Sequence, residues 1–155
     1  MPNWCNNVFT VGGDPEKVAE FVEAMKGADN EALDFNKVIP LPEVLKDRSG
    51  VNDLGWYEWS VTNWGTKWNV CETQLEYNDG DDCAVYYFST AWAPPVPWFE
   101  VTVKYFPWLN FSIEWEEGGM GFAGELTASQ GVLGAIDEWD IVWDEDEEDY
   151  VRVAQ

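Results

Sequence analysis

Two seven-residue stretches of this chain, CETQLEY (71–77) and NFSIEWE (110–116), alternate inward and outward residues strictly. A third, WYEWSVT (56–62), sets Tyr57, Trp59 and Val61 against Glu58, Ser60 and Thr62. A period of two marks a strand with one buried and one solvated face, so the three stretches predict a mainly antiparallel sheet. In CETQLEY the outward residues are Glu72, Gln74 and Glu76; in NFSIEWE the buried ones are Phe111, Ile113 and Trp115. CNNVFTV (5–11) and CAVYYFST (83–90) are rich in β-branched and aromatic residues and read as further strands. The second is apolar on both faces, as in a central position, and NDGDD (78–82) before it has turn chemistry.

Helices interrupt this pattern twice. Asp14 is a good N-cap and Pro15 suits the first helical position, while Val18, Phe21, Val22 and Met25 fall at helical spacing. A helix over 15–26 follows, stopped by Gly27. PPVPWFEVTVKYF (94–106) reads as a second helix with a proline start, ended by Pro107. LDFNKVIPLPEVL (33–45) reads as a short strand broken by Pro40 and Pro42, then one helical turn. GGMGFAGEL (118–126) and the stretch through Trp143 supply further strands around a turn at Ser129–Gly131. From Asp137 to Asp149 nine of thirteen residues are acidic, which predicts a partly disordered or loosely paired tail. The expected organisation is one α+β domain over 1–136 and an acidic C-terminal tail over 137–155.

At 155 residues, one domain can bury roughly 70% of the surface its unfolded chain exposes. Thirty acids against eight bases give a formal charge of −22. Such a surface repels nucleic acid and anionic lipid, and attracts basic surfaces, including the nucleic-acid channels of other proteins. Cys5, Cys71 and Cys83 are odd in number and form no C-x-x-C pair, which suits reduced, buried thiols in cytoplasm. No long apolar run and no basic-then-apolar leader pattern is present, so a soluble cytoplasmic protein is expected.

PNWCNN at the start, FNKVIPLPE (35–43), NWGTKWN (63–69), TAWAPPVP (90–97), FPWLNFSIEWEE and GMGFAG together resemble the YubB ferredoxin-like family. Six blocks in the same order span residues 1 to about 125. The resemblance implies a ferredoxin-like sandwich, with two helices on one face of a mainly antiparallel sheet, carried by plasmids, phages and integrated elements. It assigns no catalytic residue, and the acidic tail lies outside the shared blocks.

The absence of histidine removes Ser-His-Asp and Cys-His catalysis and imidazole metal sites together. No glycine-rich phosphate cradle is present. Glu114 and Glu116 share a strand face, with Glu117 and Glu125 near, but alternating Glu on an outward face usually means solvation. Asp79, Asp81 and Asp82 invite a calcium or magnesium reading, yet the twelve-residue calcium-loop pattern is missing and a tight turn explains them as well. No catalytic residue, metal or cofactor is therefore assigned. The Trp and Asn blocks allow two readings. Either they rigidify the domain, with Lys67 over an indole, or they form a ligand pocket. The pocket residues would be Asn3, Trp4, Asn6, Asn7, Asn63, Trp64, Lys67, Trp68, Asn69 and Trp92, which suit a nucleotide-like anion.

The acidic surface gives the third constellation: Asp137, Glu138, Asp140, Asp144, Glu145, Asp146, Glu147, Glu148 and Asp149. Thirteen extended residues span about 43 Å, so the tail alone is too dilute in charge to imitate a duplex, which carries one charge per about 1.7 Å. Tail and acidic strand faces together would serve, with Trp139, Trp143 and Tyr150 standing in for bases. The leading expectation is a non-catalytic accessory protein of a mobile element that binds and inhibits a basic nucleic-acid-binding host protein, most concretely a defence nuclease. A small-ligand protein using the Trp/Asn/Lys67 pocket ranks second, and a carboxylate-dependent hydrolase last.

Overall fold

The structure, a computed structural model, describes residues 3–46, 55–70 and 72–153. An eight-stranded antiparallel sheet runs β2-β3-β1-β4-β5-β7-β8, with β6 paired to β5 off this path. The strands are β1 (Trp4–Gly12), β2 (Gln74–Glu76), β3 (Cys83–Ala91), β4 (Asn110–Glu117), β5 (Phe122–Ser129), β6 (Val132–Leu133), β7 (Asp137–Asp144) and β8 (Asp149–Arg152). Among the described residues three α-helices join them: α1 (Pro15–Met25), α2 (Gly55–Asn63) and α3 (Val96–Tyr105). The architecture is α+β and ferredoxin-like, with one helix more than the sequence led us to expect.

Strand alternation divides the sheet into two faces. Cys5, Phe9 and Val11 of β1, Tyr86 and Phe88 of β3 and Phe111, Ile113 and Trp115 of β4 turn into the core. Phe9 is its hub: Phe21 of α1 lies 6.1 Å away, Trp98 and Phe99 of α3 lie 5.6 and 5.9 Å away, and Phe111 stacks at 5.8 Å. Asp14 caps α1 by accepting from the Glu16 N–H at 2.9 Å, and Val18, Phe21, Val22 and Met25 form its buried stripe. Of the eleven tryptophans, Trp64, Trp98 and Trp115 are buried, and Trp98 joins the phenylalanines and Tyr86 at the centre of the core.

Four expectations need correction. WYEWSVT is helical, within α2: Ser60 is buried and Trp56, Trp59 and Asn63 are half-buried, while Tyr57, Glu58, Val61 and Thr62 are exposed. That inward set has spacing i, i+3, i+4, i+7, a helical stripe hidden by the two-residue alternation. The 33–45 stretch is two 3₁₀ turns, Phe35–Lys37 and Glu43–Leu45, not a strand. Asp34 caps the first through the Asn36 N–H at 2.9 Å. The tail is paired rather than loose: β7 pairs with β5 and β8 with β7, so strand pairing continues beyond residue 136. Ile141 is buried there and the Trp143 and Tyr150 rings meet at 5.3 Å. Finally, Cys5 is buried but Cys83 is exposed. Cys71, which also opens the CETQLEY stretch, lies outside the described residues, and β2 is confined to Gln74–Glu76.

Candidate functional site

The NWGTKWN block forms a corner between α2 and the loop leading to β2. Asn63 donates to the Trp59 carbonyl at 2.9 Å. Trp64 is buried and its indole N–H donates to the Ile39 carbonyl at 2.9 Å. Gly65, at φ +85°, receives Pro97 so closely that a side chain there would collide with the proline ring. Thr66 is buried and donates to the Ala91 carbonyl at 2.8 Å. Asn69 accepts from the Phe35 and Val70 N–H groups, both at 2.9 Å, and donates to Asp34 at 2.8 Å. Two sequence blocks thirty-five residues apart are thereby locked together.

Lys67 is held by aromatic faces. Its Nζ lies 4.5 Å from the Trp68 ring centre and 5.7 Å from that of Tyr57. Among the described residues it forms no ion pair. The Trp68 ring meets Trp4 at 6.1 Å, so cation and rings form one chain ending at the start of β1.

The other candidates divide between core and surface. Asn7 is buried and its amide donates to Cys5 O at 3.1 Å, Phe88 O at 3.4 Å and Thr90 Oγ1 at 2.9 Å. Asn3 accepts from the Trp92 N–H at 2.8 Å through its backbone carbonyl. Trp92, 46% exposed, occupies a tight turn with φ +72°, closed by the Ala93 N–H on the Ala91 carbonyl at 2.9 Å. A bulky residue in that region of backbone space is strained. Asn6 is exposed and accepts from Ser89 Oγ at 2.8 Å.

Trp4 and Asn6 line a groove of about 660 Å³ on the sheet face turned away from the core, together with Val8, Gln74, Tyr87 and Ser89. Glu72 also lines it, and Tyr87 donates to Glu76 at 3.4 Å. A second hollow of about 240 Å³ shares Asn6 and Val8 with the first and adds Glu114 and Glu116. Tyr87 and Ser89 were not among the sequence candidates. The missing signal was parity, because CAVYYFST looks apolar on both faces although Tyr87 is 36% exposed.

The same face carries three carboxylates in cross-strand register. Glu114 of β4 stands opposite Glu125 of β5, which stands opposite Asp137 of β7. Directly opposed residues project to the same side about 4.5–5.5 Å apart, and like charges so placed are destabilising. Glu116 is held above the usual carboxylate range by burial and then by the Asp149 carboxylate. Next to this row, Trp139 stands opposite buried Ala123, and the Arg152 guanidinium lies 4.7 Å from its ring centre. Of the remaining tail acids, Glu138 and Asp140 are exposed on β7. Asp144 accepts from the Asp146 and Glu147 N–H groups at 2.9 and 3.2 Å, which puts Glu145, Asp146, Glu147 and Glu148 in the exposed turn before Asp149. Glu117 is buried and closes a different turn, accepting from the Gly119 and Met120 N–H groups at 2.6 and 2.9 Å. Among the described residues no acidic or cysteine cluster has the geometry of a metal site, and Asp81 caps its own turn through the Asn78 N–H at 2.9 Å. No described helix is long and apolar enough to cross a membrane.

These features define an α+β protein with an acidic, grooved sheet face turned away from its core. Residues 63–154 match the family model described as the ferredoxin-like domain in Api92-like protein, and the chain belongs to that family. The matched span includes the β7–β8 hairpin. The crystal structure of protein api92 from Yersinia pseudotuberculosis is similar at a TM-score of 0.69 over 90% of this chain and 98% of that one. Identity is 8%, so the likeness is one of fold. No curated protein matches the chain.

Proposed function

We propose that this protein is a non-catalytic accessory protein that binds and inhibits a basic, nucleic-acid-binding protein through its acidic sheet face. The observation that carries the reading is the Glu114–Glu125–Asp137 row, three carboxylates from three neighbouring strands in direct cross-strand register. Opposing like charges cost stability in the free protein, and a basic partner would convert that cost into attraction. With adjacent strands about 4.8 Å apart, the row matches the charge spacing of an extended acidic tail and holds it in fixed positions on a sheet. The exposed turn from Asp144 to Asp149 adds to the same field. The plasmid and phage setting implied by the resemblance to the YubB family makes a host defence nuclease the most concrete partner, reached in the cytoplasm.

The nucleotide-pocket alternative has less support, because Asn63, Trp64 and Asn69 spend their polar groups on the corner and Lys67 lies over two rings. A carboxylate-dependent hydrolase ranks last: Glu114 and Glu125 sit on an open sheet face that does not exclude water. The test is recovery of the partner with tagged protein from host lysate, followed by an assay of the partner's nucleic-acid binding. Added protein should suppress that binding. A variant carrying Glu114→Gln, Glu125→Gln and Asp137→Asn should suppress it less, and equal suppression would contradict the reading.

A further inference from the structure

The groove on the sheet face has a shape and a chemistry that the acid row alone does not supply. Trp4 and Val8 lie four residues apart on β1, and Tyr87 is the cross-strand neighbour of Val8. The two aromatic side chains therefore stand at opposite ends of the groove, about 13 Å apart along the strand direction. Between them lie Asn6 and Ser89, joined by their 2.8 Å hydrogen bond. Carboxylates flank this floor on both sides: Glu72 and Glu76 toward β2, and Glu114 and Glu116 in the adjoining hollow.

Exposed aromatic faces surrounded by carboxylates suit a planar cation. A guanidinium stacks on a ring while its N–H fork binds carboxylate, whereas an ammonium presents a point charge. We infer that the groove takes an extended, arginine-bearing segment of the partner, with one guanidinium on Trp4 and a second, four residues along, on Tyr87. An extended strand repeats its same-side residues about every 6.7 Å, so positions i and i+4 reach both rings. The Tyr87 hydroxyl already engages Glu76, which places a carboxylate beside that ring. Lys67 adds positive charge toward the Trp4 end through Trp68, so the Tyr87 end is the stronger subsite. This inference rests on the acidic-face reading above, and assigns the partner's recognised element and its spacing.

The experiment uses the full chain and labelled nine-residue peptides of Gly, Ser and Thr, read by label anisotropy and tryptophan quenching. One peptide carries two arginines four positions apart, and a second, of equal charge, carries them side by side. The spaced peptide should bind at least about threefold more tightly. Tyr87→Ala and Trp4→Ala should each weaken it about three- to tenfold, the former more, while Tyr87→Phe keeps binding within about twofold. Equal affinity for the two peptides overturns the inference. So does unchanged binding by both ring-deleted variants with native circular dichroism, or displacement of the peptide by AMP at matched ionic strength. If the acid-row variant loses the partner while the ring variants retain it, the groove assignment fails and the acidic-face reading stands. If the acid-row variant binds the partner as wild type does, the acidic-face reading itself fails.

Discussion

Lys67 Nζ lies 4.5 Å from the ring centre of Trp68, and among the described residues no carboxylate pairs with it. Its contacts are those of a cation holding a corner together. Lys67→Ala should lower stability by about 0.5–2 kcal/mol, measured by urea denaturation. A nucleotide panel added to wild-type protein should leave the melting temperature unchanged. A nucleotide-dependent rise that is lost in Lys67→Ala would restore the anion-site reading.

Burial, and then the Glu117 carboxylate, push the Cys5 thiol up to about 12. Its thiolate is therefore scarce at pH 8, whereas Cys83 is exposed. Iodoacetamide at pH 8, with peptide mapping by mass spectrometry, should label Cys83 and spare Cys5 in the folded protein. The raised value also favours the folded state with the thiol protonated, a contribution present below pH 9.0 and lost as pH climbs toward about 12. Labelling of Cys5 as fast as Cys83 would show that β1 opens readily.

Glu116 is raised first by burial and then by Asp149. A raised acid favours the protonated folded state, so its contribution is present below the ordinary carboxylate range and lost as pH rises through the raised value. Asp149→Asn removes one cause of the shift. The variant should gain melting temperature at pH 7 and gain less at pH 4, in thermal melts at low salt. An equal gain at both values would mean that Asp149 acts on the fold otherwise than through Glu116.

The acid row gives a prediction of opposite sign for stability and binding. Changing Glu114 and Glu125 to Gln and Asp137 to Asn removes two cross-strand like-charge contacts. The variant should be more stable by roughly 0.4–2 kcal/mol in urea denaturation, at about 0.2–1 kcal/mol per contact. It should also bind the partner more weakly. A variant that loses stability would mean that the row is held by interactions other than mutual repulsion.

Much of the fold was legible because its signals were local. Asp14 and Pro15 set the start of α1, and the alternation of Phe111, Ile113 and Trp115 set the buried face of β4. The misread segments hid their period in different ways. Residues 56–62 alternate like a strand, but burial selects Trp56, Trp59, Ser60 and Asn63, with a small polar residue in the stripe. In the tail, acidic density masked the period-two set Trp139, Ile141 and Trp143, which pairs β7 with its neighbours. The site was legible only in part. Asn69 and Trp64 find their partners across the chain at Asp34 and Ile39, contacts that no local pattern encodes. Tyr87 became a groove residue through its pairing with Val8, and the acid row emerged only from the registers of β4, β5 and β7.

On the proposed reading, the acidic sheet face occupies a surface that its partner otherwise offers to nucleic acid. The most direct measurement is competition between this protein and the partner's nucleic acid, at two salt concentrations. Binding should be mutually exclusive, with an affinity that falls steeply with added salt. Simultaneous binding of protein and nucleic acid, with little salt dependence, would contradict it.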